Sequence, residues 1–147
     1  MKQVNDLLNS KGREIWSLSP DATVYEAIEM MAEKGVGALL VIEDGRHLIG
    51  IVSERDYARK VMLRGKKSSE TKVSDIMSSN LTVTHPSEGV EQCLRAMTDK
   101  RIRHLPVLDG GKVIGVVSIG DLVKYVISCQ SATIAHLEHY ISGGYSG

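Results

Sequence analysis

One short pattern occurs twice in the sequence, as GIVSERD from Gly50 to Asp56 and as GVVSIGD from Gly115 to Asp121. Each copy contains a glycine, two β-branched residues, a serine, two variable positions and an aspartate. The surrounding regions also align, because Val24 and its neighbours recur around Val90. Self-similarity of this kind indicates a duplicated structural unit.

Each unit is predicted to contain a strand, a helix, a hairpin of two strands and a second helix. After Val24 and after Val90, apolar residues fall three and four positions apart, which is typical of a helix with one buried face. Short runs rich in branched residues, separated by glycine-containing turns, predict four hairpin strands at 38–42, 48–52, 104–108 and 113–117. Ser53 and Ser118 are expected to begin the second helices. The fold class is therefore α+β, with two βαββα repeats.

The domain organisation follows from this alignment. We divide the chain into an N-terminal helical lead-in (1–13), repeat 1 (14–64), a polar linker (65–79), repeat 2 (80–128) and a C-terminal helical extension with a tail (129–147). A unit of about fifty residues buries too little surface to be stable alone. We therefore expect the repeats to pack face to face about a pseudo-twofold axis, with two equivalent clefts between them.

Composition excludes several classes of protein. The 147 residues include 18 basic and 18 acidic side chains, so no net field attracts nucleic acid or an anionic membrane. The chain has no phenylalanine and one tryptophan, which leaves few aromatic platforms for nucleic acid. The sequence contains no apolar run that could span a bilayer, no signal-peptide pattern and no disulfide framework. We expect a cytoplasmic protein.

The repeated pattern has a chemical interpretation and a structural one. Ser53 stands at a predicted helix N-terminus, where free N–H groups favour ribose or phosphate oxygens. Asp56 follows one turn later, and an ionised carboxylate can accept two hydrogen bonds from the cis-diol of a ribose. Ser118 and Asp121 repeat the arrangement. For a single copy, however, a helix-capping box explains the same residues.

Together with RHLPVLD at Arg103–Asp109, the duplicated pattern resembles a tandem pair of cystathionine β-synthase (CBS) domains, also called a Bateman module, from about Glu14 to Ile127. The segments SERDYARKV, VSDIM and HYISGGY resemble a subfamily of stand-alone pairs. The resemblance implies regulatory binding of AMP, ADP, ATP, NAD(H) or S-adenosylmethionine. It further implies a homodimer without catalytic activity. Our hypothesis is a sensor that acts on a partner protein in trans, and we expect no metal.

In such pairs each cleft is built from both repeats, and this resemblance gives the candidate residues. For the Asp121 cleft these are Ser118, Val116, Val36, Gly37, Ala38, Lys11 and Trp16. For the Asp56 cleft they are Ser53, Ile51, Ile102, Arg103, Met77, Asn80 and Thr82, with Met77 in the place of Lys11.

The two copies differ in their basic residues. Arg103, His104 and Arg55 have no basic counterparts in the other copy, so we expect them to bind phosphate. In the first copy, Gly35 and Gly37 have no side chains and leave room for a ligand. The sequence therefore predicts two non-equivalent sites, one for a mononucleotide and one for a bulkier ligand such as NAD(H).

Two other functions remain open at this point. An NAD-dependent redox accessory would need an acid–base group beside the nicotinamide, and the sequence offers none. A purely structural interaction module would keep its clefts empty. His136 and His139 lack a third metal ligand, and an apolar stripe on the C-terminal extension is expected to contact a second subunit.

Overall fold

A computed structural model of the protein describes residues 2–130. The helices are α1 (Val4–Lys11), α2 (Val24–Lys34), α3 (Glu54–Tyr57), α4 (Val90–Lys100) and α5, which covers residues 119–130. The strands are β1 (Ser17–Leu18), β2 (Ala38–Glu43), β3 (His47–Ser53), β4 (His104–Asp109) and β5 (Lys112–Ser118). The π-helical segment Ala58–Met62 continues α3, and two 3₁₀ turns, Ser68–Glu70 and Val73–Asp75, lie between the repeats. The predicted C-terminal extension lies largely outside the described residues.

The two hairpins are nearly superimposable in register. β2 pairs antiparallel with β3, and β4 pairs antiparallel with β5. Each pairing has a bulge at the same place, after Val41 in the first hairpin and after Val107 in the second. The pattern of buried and exposed residues is identical along the corresponding strands. The duplication and the α+β class are therefore confirmed, and each hairpin strand extends one residue or two beyond its predicted limits.

The first strand differs between the repeats. In repeat 1, β1 pairs in parallel with β2, and the N–H of Leu40 donates to the carbonyl of Trp16 at 3.1 Å. The equivalent of Leu40 in repeat 2 is Pro106, which has no N–H to donate. Among the described residues, repeat 2 accordingly keeps only a single bridge there, between Thr84 and Val107, instead of the predicted strand.

Each repeat completes its core with a segment that precedes the other repeat. Val4 and Leu8 of α1 are buried in the core of repeat 2, together with residues of α4, β4 and β5. Val73 and Ile76, which precede repeat 2, are buried in the core of repeat 1. We call residues 2–11 and 71–78 the crossing segments. Each contributes its apolar side chains to the repeat that it does not directly precede.

Backbone hydrogen bonds show that the crossing segments are equivalent. The N–H of Val4 donates to Glu88 O at 2.9 Å, and the N–H of Val73 donates to Ala22 O at 2.9 Å. The segments differ in form, since the first contains the helix α1 and the second contains only the short 3₁₀ turn Val73–Asp75. This local alignment pairs Val4 with Val73, and it therefore pairs Leu8 with Met77.

The glycine of each repeated pattern lies beneath a crossing segment. A Cβ atom on Gly50 would stand 2.5 Å from Met77 Sδ and 3.1 Å from Ser78 O. A Cβ on Gly115 would stand 2.9 Å from a methyl group of Leu8. Real Cβ atoms essentially never come within 3.0 Å of such atoms, so the distances to Met77 Sδ and to the Leu8 methyl group require a glycine or a shift of the neighbour. At both glycines the absence of a side chain thus lets a crossing segment approach the strand closely.

The helices that follow the two patterns also differ. In repeat 1 the backbone changes to π-helical geometry at Ala58, whereas residues 119–130 are regular α-helix. No helix among residues 2–130 combines the length and the apolar character needed to cross a bilayer.

Candidate functional site

Both S-x-x-D segments form capping boxes. Ser53 Oγ accepts the N–H of Asp56 at 3.2 Å, and Asp56 Oδ2 accepts the N–H of Ser53 at 3.0 Å. Ser118 and Asp121 make the same two bonds, each 3.0 Å long. The capping interpretation is therefore correct at both sites. It does not exclude binding, because in each case the backbone N–H of the serine occupies only one of the two carboxylate oxygens.

Each of the two carboxylates also pairs with a lysine, but from a different part of the fold. Lys11, at the end of α1, donates to Asp121 Oδ2 and to the carbonyl of Val116, both at 2.7 Å. Lys60, on the π-helical segment, lies 3.2 Å from Asp56 Oδ1 and donates to Ile76 O at 2.8 Å. Lys60 thus connects Asp56 to backbone outside the repeated pattern, whereas Lys11 bonds to Asp121 and to the backbone of Val116 within one pattern.

The lysine changes the acidity of Asp121. Burial alone would raise the pKa of this carboxyl group, but the bonds from Lys11 and from the Ser118 N–H outweigh it and lower the pKa below its usual value. Asp121 is therefore ionised at neutral pH. Among residues 2–130, its Oδ1 atom has no hydrogen-bond partner, so one oxygen remains free to accept from a ligand.

A cavity of about 340 Å³ lies beside Asp56. Residues of both repeats line it, as the resemblance implies for each cleft. The predicted residues found here are Ile51, Ser53, Arg55, Asp56, Asn80, Thr82, Ile102, Arg103 and His104. Met77 does not line it. Met77 packs on the core of repeat 1, because it is the counterpart of Leu8 and not of Lys11 as the sequence alignment assumed.

A second cavity, of about 320 Å³, lies beside Asp121. It is also composite. The predicted residues found here are Lys11, Trp16, Val36, Gly37, Ala38, Val116, Ser118 and Asp121. Lys34 Nζ stands 4.5 Å from the centre of the Trp16 ring, which is a cation–π distance. Both cavities have the size of small-molecule sites.

The two cavities share a wall. Gly37, Ala38, Ile51 and His104 line both of them. The His104 ring would come within 3.9 Å of a Cβ atom on Gly37. Burial lowers the pKa of His104, and the charges of Lys11 and Arg103 lower it further against the opposing effect of Asp121. His104 is therefore neutral at neutral pH and offers a phosphate a ring N–H instead of a full charge.

The two cavities differ in charge, since three arginines and two carboxylates line the Asp56 cavity. Arg55, Arg101 and Arg103 line the Asp56 cavity, and within the described chain none of their guanidinium groups forms a salt bridge or a side-chain hydrogen bond. In the Asp121 cavity two lysines are matched by two acidic residues, and Lys11 is already paired. Arg101 was not among the predicted residues, although it lies in the same basic run as Arg103.

The described residues contain no group of three or more His, Cys, Asp or Glu side chains that could hold a metal ion. His136 and His139 lie outside the described part of the chain.

Comparisons with known proteins agree with this architecture. The sequence matches the CBS domain family at residues 4–63 and again at 73–128. It is 41% identical to the mitochondrial CBS domain-containing protein CBSX3 of Arabidopsis thaliana, over 97% of this chain and 73% of that protein. The structure matches a putative signal-transduction protein with CBS domains from Burkholderia ambifaria, at 51% identity and a TM-score of 0.84. This match covers 86% of this chain and 95% of that one.

A more distant structure has the same fold. It is the CBS domain pair of protein MJ0100, crystallised with 5′-methylthioadenosine and S-adenosylmethionine, at 22% identity and a TM-score of 0.77. The likeness covers 87% of this chain and 98% of that one. The two family matches contain the two capping boxes and most of both crossing segments. The chain therefore belongs to the CBS domain family, and it carries two CBS domains as a tandem pair.

Proposed function

We propose that this protein is a regulatory module that binds adenosine-containing ligands in its two composite cavities. One observation carries the proposal. At each cavity a carboxylate fixed by a capping box in one repeat faces the hairpin of the other repeat. The free oxygen of Asp121 accepts ribose hydroxyls, and Ile51 and Val116 offer apolar contact to the base. The methylthioadenosine and S-adenosylmethionine bound by MJ0100 support this class of ligand.

The regulatory step follows from the composite walls. A ligand that touches both repeats binds the closed pair better than a loosened pair, so it stabilises the closed arrangement. The chain acts on a partner protein in trans and performs no chemistry of its own. AMP, ATP and NAD(H) are the nucleotides to be tested. A cytoplasmic location is also part of the proposal.

Homodimerisation is part of the same proposal. Tyr25 on α2, Met62 and Leu63 after α3, and Val123 and Ile127 on α5 are large apolar residues with 44–76% of their surface exposed. Because the helices that follow both repeated patterns carry such residues, a second copy of the chain would cover them as a symmetric pair.

The experiment is a calorimetric titration with AMP, ATP, NAD⁺ and S-adenosylmethionine. It compares the wild type with Asp56→Asn, Asp121→Asn and the control Asp99→Asn. Asparagine keeps the capping acceptor but removes the charge, so the fold is preserved. We expect each cavity variant to lose one binding event, while the control, which changes an exposed aspartate outside both cavities, keeps both. If no adenosine compound binds the wild type, the protein is a structural module and the proposal is wrong.

A further inference from the structure

Arg101 occupies a backbone conformation that suits glycine. It ends α4 with φ 55° and ψ 42°, in the left-handed region. The equivalent residue of repeat 1 is Gly35, which ends α2 with φ 67° and ψ 35°. Glycine adopts this conformation without steric cost, whereas a residue with a Cβ atom does not. The same turn is therefore made in both repeats, but only repeat 2 places a large side chain on it.

Backbone hydrogen bonds that end α4, such as Ile102 N–H to Met97 O at 3.0 Å, stabilise this turn, but they do not involve the Arg101 side chain. The Arg101 side chain forms no salt bridge and no hydrogen bond among residues 2–130. It lines the Asp56 cavity beside Arg55 and Arg103, and these three positive charges face two carboxylates there, Glu54 and Asp56, of which Asp56 is already paired with Lys60. The arginines therefore exceed the carboxylates of this cavity by one charge. A residue that is strained and unpaired at the edge of a cavity indicates a function for its side chain.

The opposite cavity serves as an internal comparison. It has Gly35 at the position of Arg101, and no arginine is among its lining residues. Its two lysines are balanced by Glu14 and Asp121. A ligand rich in negative charge is therefore favoured in the Asp56 cavity only, while a nucleoside or a singly charged ligand suits the Asp121 cavity.

We propose that Arg101 is a phosphate-binding residue that makes the Asp56 cavity selective for adenine nucleotides with a chain of two or three phosphates. This proposal rests on the proposed function and assigns a ligand class to one of its two sites. The guanidinium groups of Arg55, Arg101 and Arg103 neutralise the phosphate chain, and Arg is suited to this because it binds phosphate oxygens in pairs.

The test uses Arg101→Gly, which copies the residue of repeat 1, in an Asp121→Asn background that leaves one functional cavity. ATP, AMP and adenosine are titrated by calorimetry, and thermal unfolding is followed without ligand. We expect ATP to bind about tenfold more weakly than in the parent, and adenosine to change by less than about twofold. Because the strain is removed, the unfolding midpoint should rise by about 2 °C.

Two further variants control the result. Arg95→Gln removes the same charge from an exposed position on α4 outside the cavity, and it should leave ATP binding unchanged. Arg101→Lys keeps the charge and the strain, so it should lose less ATP affinity than Arg101→Gly and gain no stability.

Several results would overturn the inference. Equal weakening of ATP and adenosine would mean that Arg101 only shapes the cavity. A lower unfolding midpoint for Arg101→Gly would mean that the arginine stabilises the turn. If the parent binds adenosine but shows no preference for ATP, the ligand class is wrong while the proposed function stands. If the parent binds none of the three compounds, the proposed function fails as well.

Discussion

The contact between Leu8 and Gly115 offers a direct test of the way α1 crosses to repeat 2. Leu8 is 1% exposed, and one of its methyl groups would stand 2.9 Å from a Cβ on Gly115. Leu8→Ala leaves a cavity and should cost about 3 kcal/mol of unfolding free energy. Gly115→Ala forces a methyl group into occupied space and should cost about 1–2 kcal/mol. The backbone of Gly115 is not in the positive-φ region, so its cost comes from packing.

The double variant should be much more stable than the sum of the two single effects indicates. When Leu8 is alanine, the new methyl group at position 115 enters the vacated space, which removes the overlap and fills part of the cavity. We expect a total loss of about 2–3 kcal/mol, roughly 2 kcal/mol less than the sum. The assay is urea unfolding followed by circular dichroism, with all four proteins in one buffer.

The matched control replaces the glycine of the other repeat. Gly50 contacts Met77 and Ser78 instead of Leu8, so Leu8→Ala and Gly50→Ala should add within about 0.5 kcal/mol. If the Leu8 and Gly115 changes are also additive, α1 does not pack over Gly115. The description of the crossing segments would then be wrong.

Three more predictions concern the carboxylates. Because the pKa of Asp121 is lowered, its contribution to stability is present at neutral pH and is lost as the pH falls through that pKa. Lys11→Met should therefore reduce the loss of thermal stability below about pH 4. Identical pH profiles for the variant and the wild type would contradict this. Lys60→Met should let adenosine bind the Asp56 cavity about two- to threefold more tightly in a calorimetric titration, because the ligand no longer competes with the lysine for Asp56. Weaker binding would show that Lys60 contributes to ligand binding. Trp16 lines only the Asp121 cavity, so its fluorescence should respond to adenosine in Asp56→Asn and not in Asp121→Asn; a response in both would place the ligand elsewhere.

The hairpins could be predicted because their information is local. Branched runs and glycine-containing turns fix strand pairing within twenty residues, and the observed hairpins agree with the predicted ones. The loss of the first strand in repeat 2 also has a cause in the sequence, because Pro106 has no N–H. This effect depends on which residue lies opposite the proline. That pairing cannot be known before the parallel register is known.

The crossing segments could not be predicted in the same way. The apolar face of α1 indicates that Val4 and Leu8 are buried, but not which repeat buries them. This uncertainty explains the error at Met77, since a constant offset between copies pairs it with Lys11 while the backbone pairs it with Leu8. Arg101 was missed although the alignment pairs it with Gly35, because an arginine at a helix end does not by itself indicate a positive φ.

The reciprocal burial of residues 2–11 and 71–78 has a consequence for how such a protein could arise. A single-copy precursor with this crossover could not bury its own leading segment, so two identical molecules would have to trade theirs. Fusing two genes would then join partners that were already interlocked, and it would free each half to diverge in charge without losing the other half's support. Severing the chain between the halves should accordingly yield fragments that are unstable apart and that reassemble when mixed.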